Sequence, residues 1–249
     1  MDAVSGAEGQ WIADALERYL TKERWDQWIG TVATTIPDTF EAYARIFHPV
    51  DDYGAPGPGL RWADLARANN TVFHPEAQFH RLARTELSGH AVFGGRDVGQ
   101  APHGEMYQSE LAALAELLAA HTVPSQDIFQ AVWDGWGGFE PGRHDIPTGA
   151  GTTLTVANGL RDYWVFRGSM AELVRPPWFD EEWGRSEQTP NLAWALDRSW
   201  CLASEIDFDS TLVGGTAELI AAVVHSPFLE ALEVTPSSDL SSEGDTINS

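Results

Sequence analysis

Three acidic side chains stand at alternate positions in one apolar stretch, and their spacing is the strongest chemical signal in the chain. They are Glu205, Asp207 and Asp209, within a β-prone run that extends from 200 to 216. Alternate residues of a β-strand share one face, so the spacing predicts that the three carboxylates project together. Neighbouring carboxylates repel one another unless water, an arginine or a cation offsets their charge. The pattern leaves open a solvated face, a cation site and a surface for a basic partner.

The same stretch resembles the first motif of the haloacid-dehalogenase-like phosphohydrolases, a hydrophobic strand followed by Asp-x-Asp-x-Thr. The run from 206 to 213 reads Ile-Asp-Phe-Asp-Ser-Thr-Leu-Val. The resemblance implies that Asp207 is the nucleophile and Asp209 the acid/base, with Mg²⁺ bridging both to phosphate. Three departures favour an acidic strand end instead. Ser210 replaces the usual glycine, the motif does not open the domain, and no lysine or arginine follows Arg198.

Tryptophan is the second signal, because the chain contains 11 of these residues and several stand beside carboxylates. Buried aromatic side chains account for most tryptophans in a folded protein. Exposed tryptophans, in contrast, concentrate binding energy at protein interfaces. An Asp-Glu-Glu run separates two tryptophans, and another tryptophan follows an aspartate after one glycine. The candidate binding residues are therefore Trp178, Trp183, Trp136 and Asp134.

The composition narrows the class of partner and of chemistry. A net charge of −22 disfavours nucleic acid, whose phosphates would be repelled, and allows a basic protein partner or a small ligand. Lys22 is the only lysine, which disfavours mechanisms that need a catalytic or phosphate-binding lysine. Cys201 is the only cysteine, so an internal disulfide and a thiolate zinc site are excluded. We interpret it as a small core residue.

The sequence lacks the signals that direct a chain to a membrane. It contains no apolar run of about 18 residues, and its first residues have neither the basic nor the apolar region of a signal peptide. We therefore expect a cytoplasmic protein with no membrane partner. No cofactor is expected, apart from Mg²⁺ under the phosphohydrolase hypothesis.

The order of elements predicts an α+β fold, in which a mainly antiparallel sheet is flanked by helices in a single globular domain. Asn158-Gly159 is the strongest hairpin signal and predicts that its two flanking runs pair. Strict alternation of strand and helix is absent, which disfavours a parallel sheet. The expected helices cover 10–23, 61–68, 106–121 and 216–225, and the expected strands cover 29–36, 40–50, 127–137, 152–157, 160–166 and 200–214.

Three boundaries complete this organisation. Residues 1–9 are expected to be flexible, and 10–234 to form the single α+β domain. Residues 235–249 are rich in Ser, Asp, Glu and Thr, so we expect a disordered acidic tail.

Residues 69–102 show no sustained periodicity, and we expect a long ordered loop with one helical turn near 75–84. Within that turn, Glu76 and His80 have the spacing of two metal ligands on a helix. Pro75 would have to begin such a helix, which leaves His74 outside it and favours packing histidines over a metal site.

Three runs together resemble a family of soluble bacterial proteins of similar length. They are Phe40–Pro49, Ala131–Gly137 and Trp200–Gly215. That family has no assigned activity, so the resemblance implies no catalytic residues for this chain.

The leading hypothesis is a non-catalytic cytosolic protein that binds another protein or a small ligand. An acidic immunity or antitoxin-like role is one form of it. The hypothesis rests on the acidic charge, the aromatic loops and the lack of a complete catalytic set. The alternative is a divalent-metal-dependent phosphohydrolase in which Glu205, Asp207 and Asp209 hold the metal.

Overall fold

The computed structural model describes residues 1–19, 30–50, 59–87, 89–136, 153–157, 159–176 and 189–249. Within these ranges, nine strands form one antiparallel sheet and two more form a separate hairpin. Helices pack on the large sheet, which confirms the α+β expectation.

The strands appear in chain order as β1 (Asp2–Val4), β2 (Ala42–Phe47), β3 (Ala91–Phe93), β4 (Arg96–Val98), β5 (Ile128–Trp133), β6 (Thr153–Val156), β7 (Arg161–Gly168), β8 (Leu192–Ala195), β9 (Cys201–Ala203), β10 (Ser210–Gly215) and β11 (Ala231–Val234). The large sheet has the order β1-β7-β5-β8-β9-β10-β2-β11, and β6 also pairs with β7. β3 and β4 form the separate hairpin.

The helices are α1 (Gln10–Leu16), α2 (Trp62–Asn69), α3 (Phe79–Ala83), α4 (Gln108–Ala120), α5 (Ala171–Val174) and α6 (Ala217–Val224). In the described part of the chain, no helix has the length and apolar character needed to cross a membrane. The clearest sequence prediction, at 106–121, is confirmed by α4.

Each face of the large sheet is covered because its strands carry apolar residues on both sides. α4, α5 and α6 pack on one face, against side chains such as Ile46 and Val213. α1 packs on the other face, against Trp194 and Leu212. A third cluster surrounds Phe47, where α2, α3 and the β3–β4 hairpin meet the end of β2. Sheets buried on both faces read as nearly continuous apolar runs in sequence.

The hairpin predicted around Asn158-Gly159 is confirmed, because β6 and β7 pair antiparallel with Val156 opposite Arg161. Gly159 has φ +94°, a backbone conformation that glycine adopts without steric cost. The strand expected over 29–36 is wrong for its described part, since Val32–Thr34 form a short 3-10 helix. The β-branched residues there are buried against the sheet instead of extending it.

The N-terminal segment differs from the flexible one expected. β1 pairs with β7, with Ala3 opposite Phe166, and residues Gly6–Gly9 form a 3-10 helix capped by Ser5. Backbone hydrogen bonds to a sheet edge order a segment whatever its composition, and composition was the basis of the prediction.

The expected disordered tail is likewise packed. The Asp245 side chain is buried and accepts hydrogen bonds from Nε2 of His74 (2.8 Å), from the backbone N–H of Gln78 (3.2 Å) and from Nδ2 of Asn248 (2.9 Å). Leu240 is buried in the main core and donates its backbone N–H to the carbonyl of Gly30 (2.7 Å). A few specific hydrogen bonds anchor the tail, and bulk polarity does not reveal them.

Candidate functional site

The segment from 200 to 214 is not the single strand that its apolar pattern predicts. β9 and β10 pair antiparallel, with Ala203 opposite Leu212, so the chain reverses across 204–209. The backbone N–H of Phe208 donates to the carbonyl of Glu205 (3.0 Å) and closes the turn. The expectation that the three carboxylates share one strand face is therefore wrong. They lie in the connection between two strands.

That connection lies at one end of the large sheet. β5 and β9 end there, whereas β7, β8 and β10 begin there, because neighbouring strands are antiparallel. Several polar and aromatic side chains from distant parts of the sequence meet as a result. We call this set the acidic end, and its members are Trp133, Asp134, Trp136, Arg161, Asp162, Asn191, Glu205 and Asp207.

Arg161 holds two of the three carboxylates. Its Nη2 donates to Oε1 of Glu205 (2.8 Å) and to Oδ2 of Asp207 (2.7 Å), and its guanidinium lies 5.6 Å from the centre of the Trp133 ring. The Glu205 side chain is only 9% exposed, while that of Asp207 is 66% exposed. Burial raises the pKa of Glu205, and the charge of Arg161 opposes that rise. Arg161 thus stabilises the buried carboxylate and leaves Asp207 largely in water.

The third carboxylate belongs to another cluster. Oδ1 of Asp209 accepts from Nη2 of Arg45 (3.2 Å), and Nε of Arg45 donates to Oγ of Ser210 (2.9 Å). Two arginines therefore hold the three acids in two groups. Over the described ranges, no cluster of three His, Cys, Asp or Glu side chains is arranged to hold a metal ion. The catalytic roles of Asp207 and Asp209 stay predictions, and a cation between Glu205 and Asp207 would have to displace Arg161.

Two tryptophans form the aromatic part of the acidic end. Trp133 and Trp136 meet edge to face, with ring centres 5.9 Å apart. Oδ1 of Asn191 accepts from Nε1 of Trp136 (3.1 Å) and from the backbone N–H of Trp133 (2.8 Å). Both rings are only half-buried, so a buried amide fixes an aromatic surface that remains partly open.

The predicted binding residue Asp134 stands beside these rings. It is exposed, and its backbone N–H donates to the carbonyl of Asp162 (2.9 Å). Partial burial and the neighbouring Asp162 carboxylate raise the pKa of Asp134. The structure thus brings Asp134 and Trp136 together, whereas Trp178 and Trp183 lie outside the described residues.

A cavity of about 20 Å³ lies beside the Arg161–Glu205 pair, lined also by Thr35, Tyr163 and Asn191. This volume holds about one water molecule. An organic substrate needs several hundred Å³. As lined by the described residues, this cavity is therefore too small to hold an organic substrate.

His48 belongs to a buried hydrogen-bond chain near the acidic end. Its Nδ1 lies 2.7 Å from the carbonyl of Pro102, which can only accept, so Nδ1 carries the proton. Nε2 then accepts from Oγ1 of Thr211 (2.8 Å), which in turn accepts from Oγ of Ser204. Burial lowers the pKa of His48 to about 4 and keeps the ring neutral. The side chains of His48, Thr211 and Ser204 are all inaccessible to water. Their hydrogen bonds therefore join neighbouring strands and do not expose a nucleophile.

The other chemical candidates from the sequence are structural. α3 begins at Phe79, so Glu76 lies outside it and does not share a helix face with His80. Oε1 of Glu76 instead accepts the backbone N–H of Asp239 (3.0 Å). Cys201 is fully buried in β9, where burial raises the pKa of its thiol, which confirms it as a core residue.

Four residues of the acidic end were not predicted as site residues from the sequence: Trp133, Arg161, Asp162 and Asn191. Arg161 has one usable signal, since it stands two residues after Gly159 of the Asn-Gly turn and so near the start of a strand at the end of the sheet. Nothing in the sequence places Asn191, which lies 55 residues from its partner Trp136.

Comparison of the chain with protein-family models, with curated proteins and with solved structures gives no match. The function is therefore inferred from the geometry of the acidic end and from the charge of the chain.

Proposed function

We propose that the protein is a non-catalytic binding module of the cytoplasm, and that the acidic end docks onto a basic patch of a partner protein. The observation that carries this proposal is the pairing of exposed carboxylates with half-buried tryptophans at one end of a rigid sheet. Asp207 is 66% exposed, and Asp134 is exposed beside Trp136. An immunity or antitoxin-like role, in which an acidic surface covers a basic partner, is one form of the proposal.

Charge supports a basic partner. The acidic end contains four carboxylates, from Asp134, Asp162, Glu205 and Asp207, and one compensating arginine. The whole chain carries a net charge of −22, which accelerates encounter with a positively charged surface. Exposed charges of this kind mainly set the rate and specificity of association.

The tryptophans support affinity. Aromatic residues at the centre of an interface, surrounded by polar groups, commonly carry most of the binding energy. Trp133 and Trp136 are held by Asn191 and by Arg161, so their orientation exists before a partner arrives. Such preorganisation lowers the entropic cost of association.

Reversing charge at the acidic end should weaken the binding of a partner. We expect the double variant Asp134→Lys with Asp207→Lys to bind a captured partner about tenfold or more weakly, because two attractive pairs become repulsive. The immobilised protein is incubated with extract of its native cells at low salt, and retained proteins are identified by mass spectrometry. Affinity is then measured for both forms of the protein.

The matched control is Glu116→Lys with Glu233→Lys, which makes the same change of charge at exposed positions on α4 and β11. The control should retain the partner. Equal retention by the two double variants would show that net charge, and not the acidic end, determines binding. The absence of any salt-sensitive partner would refute the proposal.

A further inference from the structure

A second site lies away from the acidic end, in a groove between α1, residues 39–40 and the turn that joins β8 to β9. The groove has a volume of about 500 Å³ and opens to solvent. This volume lies within the range of small-molecule sites. Its walls contain two aromatic rings and charged groups of both signs, and the arrangement of those charges suggests a ligand.

The aromatic wall consists of Trp11 and Phe40. Their rings meet edge to face, with centres 6.3 Å apart and an interplanar angle of 77°. Both side chains are half-buried, so part of each ring faces the groove. Nε1 of Trp11 is itself buried and has no hydrogen-bond acceptor among the described residues. Because this N–H is closed to solvent, a ligand in the groove would contact the exposed part of the ring and not the N–H.

The charged groups of the groove are unequally paired. Nη2 of Arg18 lies 3.0 Å from Oδ1 of Asp38, so these two charges offset each other. Among the described residues, Asp14 accepts one neutral hydrogen bond, from Nε2 of Gln10 (2.9 Å), and forms no ion pair. Arg198 forms no ion pair within the described part of the chain, and its guanidinium lies 5.2 Å from the centre of the Trp11 ring. Counting the described residues alone, the groove therefore presents one cation and one anion without a charge partner.

The backbone holds Arg198 in an unusual conformation. Its φ is +60°, a left-handed value that side chains other than glycine seldom adopt. The turn is fixed by the backbone N–H of Arg198, which donates to the carbonyl of Ala195 (2.8 Å), and by Oδ1 of Asp197, which accepts from the N–H of Ser199 (3.0 Å). Strained positions that the surrounding structure maintains are often found at binding sites.

We propose that the groove binds a free amino acid with an aromatic or large apolar side chain. Arg198 receives the carboxylate, Asp14 receives the ammonium group, and the side chain packs on Trp11 and Phe40. Trp11 and Asp14 are three residues apart on α1, so they lie on the same face of the helix. A zwitterion matches both uncompensated charges at once, whereas an anion alone would meet the Asp14 carboxylate.

The probe for this proposal is L-phenylalanine, compared with L-phenylalaninamide, which lacks the carboxylate, and with N-acetyl-L-phenylalanine, which lacks the ammonium group. Binding is followed by the indole N–H resonance of Trp11 in heteronuclear NMR spectra, assigned with the variant Trp11→Phe. We expect L-phenylalanine to shift this resonance in a saturable manner. Each analogue should bind about tenfold or more weakly, because it loses one charge-assisted hydrogen bond.

Two variants separate the roles of the charges. Arg198→Gln should weaken L-phenylalanine to the level of its amide, and Asp14→Asn should weaken it to the level of the N-acetyl compound. The control Arg67→Gln removes an arginine that is 75% exposed on α2 and should bind like the parent. The proposal is overturned if Trp11 shows no saturable shift, if the three ligands bind equally, or if both groove variants bind like the parent.

Discussion

Replacing Arg45 with leucine should lower the free energy of unfolding by about 3–5 kcal/mol, since it breaks a buried ion pair by removing one partner. The Arg45 side chain is 1% exposed and its guanidinium lies 4.3 Å from the centre of the Phe47 ring. It donates to Asp209, to Ser210 and to the carbonyls of two residues in the segment before α3, Pro75 (3.0 Å) and Ala77 (2.8 Å). Leucine leaves these acceptors without a donor. Urea unfolding followed by circular dichroism measures the loss.

A surface arginine gives the matched control for Arg45. Arg167→Leu, also in the large sheet, removes a guanidinium that is 45% exposed and pairs with Asp127; we expect a change within about 1 kcal/mol. Adding Asp209→Leu to Arg45→Leu should recover part of the loss, because the carboxylate left unpaired is then also removed. If Arg45→Leu lowered the free energy of unfolding by no more than Arg167→Leu does, the hydrogen bonds of the buried Arg45 would not stabilise the fold as we expect.

Arg45 also explains why the region of 69–102 is ordered without a periodic sequence. Its hydrogen bonds to Pro75 and Ala77 fix the chain just before α3, and the tail residue Asp245 fixes the same segment through Gln78. The helical turn expected near 75–84 is confirmed in α3. The β3–β4 hairpin was missed because its strands have only three residues each, too few for a period to show.

The sequence predicts elements well where a local signal marks their ends. The Asn-Gly turn located the β6–β7 hairpin, and the spacing of leucines located α4. The sequence predicts one strand in place of the β9–β10 hairpin because the connection, Ser204 to Asp209, contains no glycine, proline or asparagine. Alternation of apolar residues continues through that turn, so period alone does not reveal the reversal.

The sequence predicts which acidic residues belong to the site, but it does not predict how they are arranged or which residues they pair with. Spacing alone singles out Glu205 and Asp207, but their partner Arg161 lies 44 residues from Glu205. Asp209 was grouped with them, although its partner Arg45 lies 164 residues away. Charge partners follow from strand order, and the order of an antiparallel sheet with long connections is not encoded in local patterns.

Glu110 should make the protein less stable as the pH rises from about 4.5 to about 8. This residue in the first turn of α4 is 6% exposed, and its Oε2 has no hydrogen-bond partner among the described residues. Burial raises the pKa of Glu110 from 4.5 to about 8, Arg61 opposes the rise, and Glu230 adds to it. Across that window the unfolded chain is ionised while the folded protein keeps the proton. The free energy of unfolding therefore falls as pH rises and levels off above the folded pKa.

Glu110→Gln should remove this dependence, because the amide has nearly the same shape and does not ionise. Each pKa unit corresponds to about 1.4 kcal/mol, so we expect the free energy of unfolding of the variant to exceed that of the parent by about 4 kcal/mol at about pH 8 and to lie within about 0.5 kcal/mol of it at about pH 4.5. Urea unfolding across the window measures the difference, in which titrating groups that do not interact with Glu110 cancel. Glu116→Gln, at an exposed position of the same helix, should leave the pH dependence of the parent unchanged. If the free energy of unfolding changed with pH in the same way for Glu110→Gln and for the parent, the pKa of Glu110 would have its ordinary value. That result would contradict the prediction.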